Sequence, residues 1–238
     1  MNNILTIARR EFSAYFTSPI AYVYLITFLV VINFIFFRGF FLVGQADMRQ
    51  FFAIMPWIFL FFVPAVAMGK WAEERRQGTL EILFTLPLQD RDIVLAKFLA
   101  GLLLIATALA LTLPIVITIE LVGSMDLGPA IGGYLGLLFL GGAYLAIGLV
   151  ISALTENQII AFILGVAVSF LLLIVGTPMI IGSSSNMFTQ AVGYLGLGSH
   201  FESIARGVVD TRDIIYYLSV IGFFLYLNLI VLKTRARK

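Results

Sequence analysis

The residues that could do chemistry are few and unevenly placed along the 238-residue chain. Ten of its 28 charged residues, which are 15 Lys and Arg and 13 Asp and Glu, lie between positions 70 and 97. The chain has one histidine, His200, and no cysteine. One imidazole cannot hold a metal ion unaided, so no metal site is expected. Ser199 precedes His200, but no third group stands at a recognisable spacing and no G-x-S-x-G motif is present, so serine hydrolysis is not expected.

The chain also lacks a loop for binding nucleotide phosphates. It has no G-x-x-x-x-G-K-[ST] motif, and the Gly69-Lys70-Trp71 stretch has neither the spacing nor the hydroxyl of one. We therefore expect no cofactor on this chain and no enzymatic activity of its own.

The charged segment 70–97 is too long for a simple connection, which needs only about 2–8 residues. Its pattern predicts a helix over 71–86, with Leu80, Leu83 and Phe84 forming an apolar ridge. A projecting helix of this kind can dock into a groove on a soluble partner. A solvated hairpin at the membrane interface is the alternative.

Polar residues around this helix should fix its pairing and its ends. Glu73 can pair with Arg76 or Gln77 one turn further on. Pro87 should end the helix. Asp90 is then a plausible N-cap for the next helix, with a second aspartate in the first turn.

The segment from Glu73 to Leu88 reads EERRQGTLEILFTLPL and is followed by IVLAK at 93–97. This pattern resembles the signature of ABC-2 type transporter permeases, in which it lies between spans two and three and forms the coupling helix. Further stretches resemble the gliding-motility-associated branch of that family, so that the resemblance covers nearly the whole chain. These stretches are Arg10-Glu11-Phe12, Ser18-Pro19-Ile20-Ala21-Tyr22, His200-Phe201-Glu202, Arg206-Gly207-Val208 and Asp210-Thr211-Arg212-Asp213.

The resemblance implies a permease that works as a homo- or heterodimer and binds two cytoplasmic ATPase subunits, which hold the ATP and Mg²⁺. It also suggests an auxiliary membrane protein with a large external domain. Leu80 and Leu83 are the expected anchors, because buried apolar groups dominate interfaces. Gly78 within a helical pattern indicates a bend or a close approach. The residues implied to face the ATPase or form the coupling helix are Glu73, Glu74, Arg75, Arg76, Gly78, Thr79, Leu80, Glu81 and Leu83.

The rest of the chain is too apolar for a soluble protein. It is 61% hydrophobic and 12% charged, whereas soluble domains carry about 25% charged residues. Six charge-free runs of 19 to 45 residues can each cross a hydrocarbon core of about 30 Å as a helix. We predict an all-α membrane protein with a single transmembrane domain over 1–238 and six transmembrane helices. They are predicted at about 20–42, 51–69, 98–122, 130–154, 159–181 and 214–232.

The distribution of basic residues predicts the orientation. With six spans, 11 of the 15 Lys and Arg lie on the side that holds both termini and the 70–97 segment, and the positive-inside rule makes that side cytoplasmic. A seventh span within the charge-free run 157–201 would place the basic C-terminus outside. We therefore expect a multi-pass protein of the inner membrane, of bacterial origin, with both termini cytoplasmic.

Two shorter elements are predicted at the membrane surfaces. The first 17 residues have the pattern of an amphipathic interfacial helix that ends at Ser18-Pro19, or they are only a basic flank that orients the first span. Between spans five and six, short external helices are expected to act as a lid or to pack as a plug. One of them is predicted to start with a capping box from Ser199 to Glu202, which leaves His200 on its surface and Phe201 on an apolar stripe. Asp210 is expected to cap the last span.

These features favour the permease subunit of an ATP-driven transporter, acting as an exporter by alternating access. The alternative is a secondary transporter or channel that works alone. Such a protein needs charges inside the membrane or paired interrupted helices. Glu120 lies at the predicted outer interface, so we interpret it as a hydrated carboxylate and not as a proton relay. A polytopic membrane enzyme would need a cluster of catalytic side chains at one depth.

Overall fold

A computed structural model describes residues 2–43, 47–80, 88–123, 125–177, 193–208 and 210–235. Over these residues the chain forms helices and no strand. Apolar runs give the long helices, and prolines and short polar stretches separate them. The helices are α1 Asn2–Thr17, α2 Pro19–Val43, α3 Arg49–Ala67, α4 Gly69–Arg76, α5 Asp90–Ala110, α6 Leu113–Val122, α7 Leu127–Leu154, α8 Gln158–Ile174, α9 Leu197–Ala205 and α10 Thr211–Arg235.

Five helical stretches in the described residues are long and apolar enough to cross a membrane, which confirms an all-α membrane protein. The fifth predicted span, 159–181, corresponds to α8, which is apolar but has only 17 residues, and positions 178–181 of that span lie outside the described residues. Six spans therefore stay a prediction. The five stretches are Pro19–Phe40, Arg49–Arg76, Asp90–Val122, Leu127–Leu154 and Thr211–Thr234.

The centre of the bundle is α7, which packs against α3, α5, α8, α9 and α10. Glycines let its neighbours approach closely, as small residues do between membrane helices. A Cβ at Gly133 would lie 2.4 Å from the Phe52 ring, and one at Gly148 would lie 2.5 Å from the Ala67 Cβ. The wide spread of glycine along α7 is thus a packing requirement of the central helix.

The predicted end of the N-terminal helix is confirmed. The residue before Pro19 avoids the helical region, so α1 ends at Thr17 and α2 begins at Pro19. Arg9 and Arg10 are exposed, as expected of a basic face. The opposite face packs mainly on α5, with Ala8 buried. The N-terminal helix therefore lies against the bundle as well as at its surface.

The span predicted over 98–122 lies within the apolar helical stretch Asp90–Val122. A turn at Leu111 and Thr112 divides this stretch into α5 and α6, because Pro114 has no N–H to donate and its ring clashes with the carbonyl four residues earlier. The predicted cap at the start of this stretch is wrong. Asp90 is not the N-cap of α5. Gln89 holds that position in an extended conformation, and Asp90 is the first helical residue, where its charge still favours the positive helix end.

Candidate functional site

The site begins where α3 continues into α4 with only Met68 between them. Its backbone N–H donates to the carbonyl of Pro64 at 2.8 Å, so the chain stays helical across the junction. The first N–H groups of a helix have no partner within the helix. Here the Ser152 hydroxyl, at the end of α7, accepts from the N–H groups of Trp71 (3.1 Å) and Ala72 (3.2 Å) and donates to the Met68 carbonyl (2.7 Å). One side chain therefore fixes the start of α4 to α7.

Two lysines and two glutamates form a charge cluster (Glu11, Lys70, Glu74 and Lys97) on the inner side of this junction. The Lys97 ammonium contacts the carboxylates of Glu74 and, at 3.4 Å, Glu11. Lys70 contacts Glu11 at 2.9 Å. Lys97 is only 2% exposed, and its ammonium also lies over the Trp71 ring, 4.9 Å from the centroid. The cluster is electrically balanced and joins α1, α4 and α5.

Glu11 is the carboxylate shared by both lysines. Burial alone would raise its pKa, but the charges of Lys97 and Lys70 and their hydrogen bonds lower the pKa below the ordinary value. Glu11 is therefore ionised at neutral pH, and its charge holds α1 against α4 and α5.

A second group of contacts joins α4 to α8. The Glu73 carboxylate accepts from Arg76 at 2.7 Å and from Gln77 at 2.5 Å, as predicted from their spacing. The Gln158 amide, at the start of α8, donates to the other carboxylate oxygen. Arg76 is 67% exposed, and exposed pairs contribute little to stability. Of the three contacts to Glu73, the one from Gln158 is therefore the contact that positions α4.

The helix predicted over 71–86 is not continuous. It ends at Arg76, and Gly78 has a φ of +70°, a left-handed conformation that glycine adopts without strain. No atom of the described residues lies within 4 Å of a Cβ built at Gly78. Of the two predicted roles for this glycine, the bend is therefore observed, and a close approach by a partner stays a prediction.

The bend changes which predicted residues can face a partner. Leu80 is 9% exposed and packs in the core of this chain, while its predicted role as an anchor for a partner stays a prediction. Periodicity identified Leu80 as apolar but could not tell which surface covers it. Arg76, Gly78 and Thr79 are exposed, whereas Glu73, Glu74 and Arg75 are half-buried. The predicted residues Glu81, Leu83 and Phe84 lie outside the described residues.

Glu11, Ser152 and Gln158 are not among the predicted site residues, and no partner is predicted for Lys97. For Glu11 and Lys97 a signal existed. Glu11 lies on the same helical face as buried Ala8, and Lys97 lies on the same face of α5 as buried apolar residues. For Ser152 and Gln158 no local pattern exists, because their partners are more than 80 positions away.

At the predicted outer end, α9 is attached to α10 through His200. The Nδ1 of His200 lies 2.6 Å from the Asp213 carboxylate, Nε2 lies 3.0 Å from the Tyr194 carbonyl, and the ring stacks on Tyr216 at 3.9 Å. His200 is 8% exposed, so its predicted surface position is wrong. We name these four residues the outer latch.

The capping box predicted from Ser199 to Glu202 is also wrong. Gly196 is the N-cap of α9, and the Ser199 hydroxyl donates to carbonyls of Gly193 and Gly196. Glu202 is exposed near Arg206, while Phe201 is buried as the apolar stripe predicts. The start of α9 lies one turn earlier than predicted because the Ser199 hydroxyl bonds backward to carbonyls and not forward to N–H groups.

The end of α9 and the start of α10 agree with prediction. Arg206 follows the last helical residue, and Gly207 has a φ of +90°. Asp210 accepts from the Arg212 N–H at 2.9 Å and so caps α10. Of the two predicted external helices, the first, at about 187–195, falls mainly on residues up to 192, outside the described residues.

The arrangement is suited to transmitting movement between helices. In the described part of the chain, no group of three or more His, Asp or Glu is placed to hold a metal ion. The polar side chains bind one another and the backbone, and they connect α4 with α1, α5, α7 and α8.

A family model described as ABC-2 family transporter protein matches residues 44–197, nearly two-thirds of the chain. The match contains α3 to α8 and with them the α3–α4 junction, Lys97, Ser152 and Gln158. No curated protein matches the chain.

Proposed function

The chain belongs to the ABC-2 family of transporter proteins, and from this premise we propose that it is the permease subunit of an ABC exporter in the gliding-motility-associated branch. A separate ATPase binds ATP and Mg²⁺ and supplies the energy, because this sequence has no phosphate-binding loop of the P-loop type. Closure of the ATPase moves α4, and the spans switch between inward and outward access. The family membership supports a membrane component of such a transporter, and the exporter direction is our proposal.

One observation carries the proposed coupling: α4 is held by polar contacts to four other elements besides α3. Ser152 joins it to α7, Gln158 to α8, Lys97 to α5 and Glu11 to α1. A helix joined to α3 alone could bend at Met68 without moving the bundle. With these contacts, a displacement of α4 moves the inner ends of the four helices together.

The surface offered to the ATPase is the exposed end of α4 and the bend after it. Arg76, Gln77, Gly78 and Thr79 are exposed there. Leu80 packs in the chain's own core and is not exposed on this surface. The exposed contact is therefore polar on the described residues, and an apolar anchor at Leu80 or within positions 81–87 stays a prediction.

The proposed complex contains two ATPase subunits and a second permease subunit, identical or related. An auxiliary membrane protein with a large external domain belongs to the same proposal. The complex lies in a bacterial inner membrane with both termini of this chain in the cytoplasm, on the side that holds 11 of its 15 basic residues.

A pull-down tests the docking surface. The tagged chain is expressed with candidate ABC ATPases of the same genome, in the original form and with Arg76→Glu and Thr79→Arg together. We expect the double variant to retain less than about a tenth of the ATPase, because a reversed charge and a long side chain at an interface together cost more than about 1.4 kcal/mol.

Arg91→Glu is the matched control, since Arg91 is 69% exposed at the start of α5, close to the 67% of Arg76. Gel filtration checks that each variant is folded. Equal recovery of the ATPase by the double variant and the control would exclude this docking surface. Transport by the reconstituted chain without any ATPase would overturn the proposed function itself and favour a transporter or channel that works alone.

A further inference from the structure

A crevice of about 540 Å³ lies between α3, α8 and α9. Its volume falls within the usual range for small-molecule sites, about 300–1,000 Å³. Most of its wall is apolar, and polar groups are confined to a few positions. The apolar wall includes Phe52, Pro56, Trp57, Leu173, Phe201 and Ala205.

The crevice is polar at one end and apolar at the other. Arg49 is the first residue of α3, and Arg206 follows the end of α9; both line the crevice. Trp57 lies eight residues further along α3, which is about 12 Å at the helical rise. The arginines thus lie at a helix end, at the level of the predicted outer interface, while Trp57 lies deeper among apolar side chains.

The deep end is open to the side. Trp57 is 50% exposed, and its ring lies 6.3 Å from that of Phe170 on α8. In a spanning helix such a surface contacts lipid chains. A bilayer lipid could therefore place a chain beside Trp57 while its headgroup stays at the interface.

The charges at the rim favour an anionic headgroup. Two arginines and one glutamate, Glu202, line the crevice, and Asp47 beside Arg49 balances the remaining positive charge until a ligand anion takes its place. Among the described residues, Arg49 pairs with exposed Asp47, and Arg206 lies 3.8 Å from Glu202. Exposed pairs of this kind contribute about 0–1 kcal/mol, whereas arginine binds phosphate through two parallel hydrogen bonds. A phosphate can therefore displace both carboxylates.

We propose that this crevice binds an anionic phospholipid of the surrounding bilayer, with its phosphate between Arg49 and Arg206 and an acyl chain along Trp57. This site is separate from the α4 contacts and independent of the proposed docking. It gives the outer end of the bundle a preference for one class of lipid.

Quenching of Trp57 fluorescence by brominated lipid tests the proposal on the chain alone, without an ATPase. The chain has two tryptophans, and Trp71 is 2% exposed, so a Trp57→Phe variant supplies the background. The chain is placed in phosphatidylcholine vesicles that contain increasing dibrominated phosphatidylglycerol or, in parallel, dibrominated phosphatidylcholine. We expect half-maximal quenching at about fivefold less of the anionic lipid, since an arginine near an anionic lipid surface contributes about 1 kcal/mol.

Variants separate the site from general attraction to the membrane surface. Arg49→Gln with Arg206→Gln should remove the preference, whereas Arg212→Gln, an exposed arginine outside the crevice, should keep it. Ala53→Phe, which fills the crevice, should lower quenching by the anionic lipid. Equal quenching by the two lipids, weak quenching of Trp57 by either, or an unchanged preference in the double arginine variant would each overturn the proposal. None of these results depends on whether α4 docks on an ATPase.

Discussion

Replacing Lys97 by methionine should destabilise the chain more than any comparable change of a surface lysine. Methionine keeps most of the volume against Trp71 but removes the charge shared by Glu11 and Glu74. Glu11 still has Lys70, while Glu74 loses the only cation in its described contacts. One of its oxygens is already buried without a hydrogen bond.

The size of the effect follows from burial. Removing one partner of a fully buried ion pair costs about 3–5 kcal/mol. Lys97 is almost fully buried, but the side chain of Glu74 is 27% exposed and that of Glu11 is 25% exposed, so water reaches the remaining carboxylates. We expect a loss of about 2–3 kcal/mol in the free energy of unfolding.

Denaturant titration in a mild detergent measures this loss, with Lys233→Met as control because Lys233 is exposed at the end of α10. Surface substitutions usually change stability by less than about 0.5 kcal/mol. The double variant Glu74→Gln with Lys97→Met should recover part of the loss, because it leaves no unpaired carboxylate on α4. If Lys97→Met lowers the free energy of unfolding no more than Lys233→Met does, the charge cluster does not hold α4 as described.

Three further outcomes are expected. Gly78→Ala should lower the free energy of unfolding by about 1–2 kcal/mol in thermal unfolding, because alanine disfavours the left-handed backbone. The new Cβ meets no described neighbour, so a steric clash does not add to this loss. His200→Ala should increase amide hydrogen exchange over α9, since it removes both hydrogen bonds of the outer latch, while Glu202→Gln, an exposed pair, should leave exchange unchanged. Acid should loosen α1 and increase its hydrogen exchange: Glu11 has a lowered pKa in the fold, so its contribution is complete above the ordinary value of about 4.3 and is lost as the pH falls below it. A Glu11→Gln variant should lack this acid step.

The helices themselves could be predicted because their signals are local. Charge-free length identified the spans, Pro19 separated α1 from α2, and Asp210 capped α10. The pairing of Glu73 with Arg76 also follows from spacing on one helix. In each of these cases the interacting residues are close in sequence, so the local sequence pattern is enough to predict the feature.

The contacts of the candidate site could not be predicted in the same way. Ser152 has the sequence surroundings of any serine in an apolar helix, and its role follows only from the packing of α7 against α4. Leu80 has the right spacing for an exposed ridge, but the turn at Gly78 directs it into the core. Periodicity defines a face and cannot say whether that face meets a partner or the same chain.

The hydrogen bonds of the outer latch also determine how many protons His200 and Asp213 hold between them. A carbonyl oxygen only accepts, so the Nε2 of His200 carries a hydrogen toward Tyr194. The 2.6 Å contact between Nδ1 and Asp213 then requires one more hydrogen between the two groups. Whichever group holds it, the His200–Asp213 pair has no net charge. Near the hydrocarbon edge, the chain thus buries an acid and a base as one electroneutral unit, without the cost of burying an isolated ion.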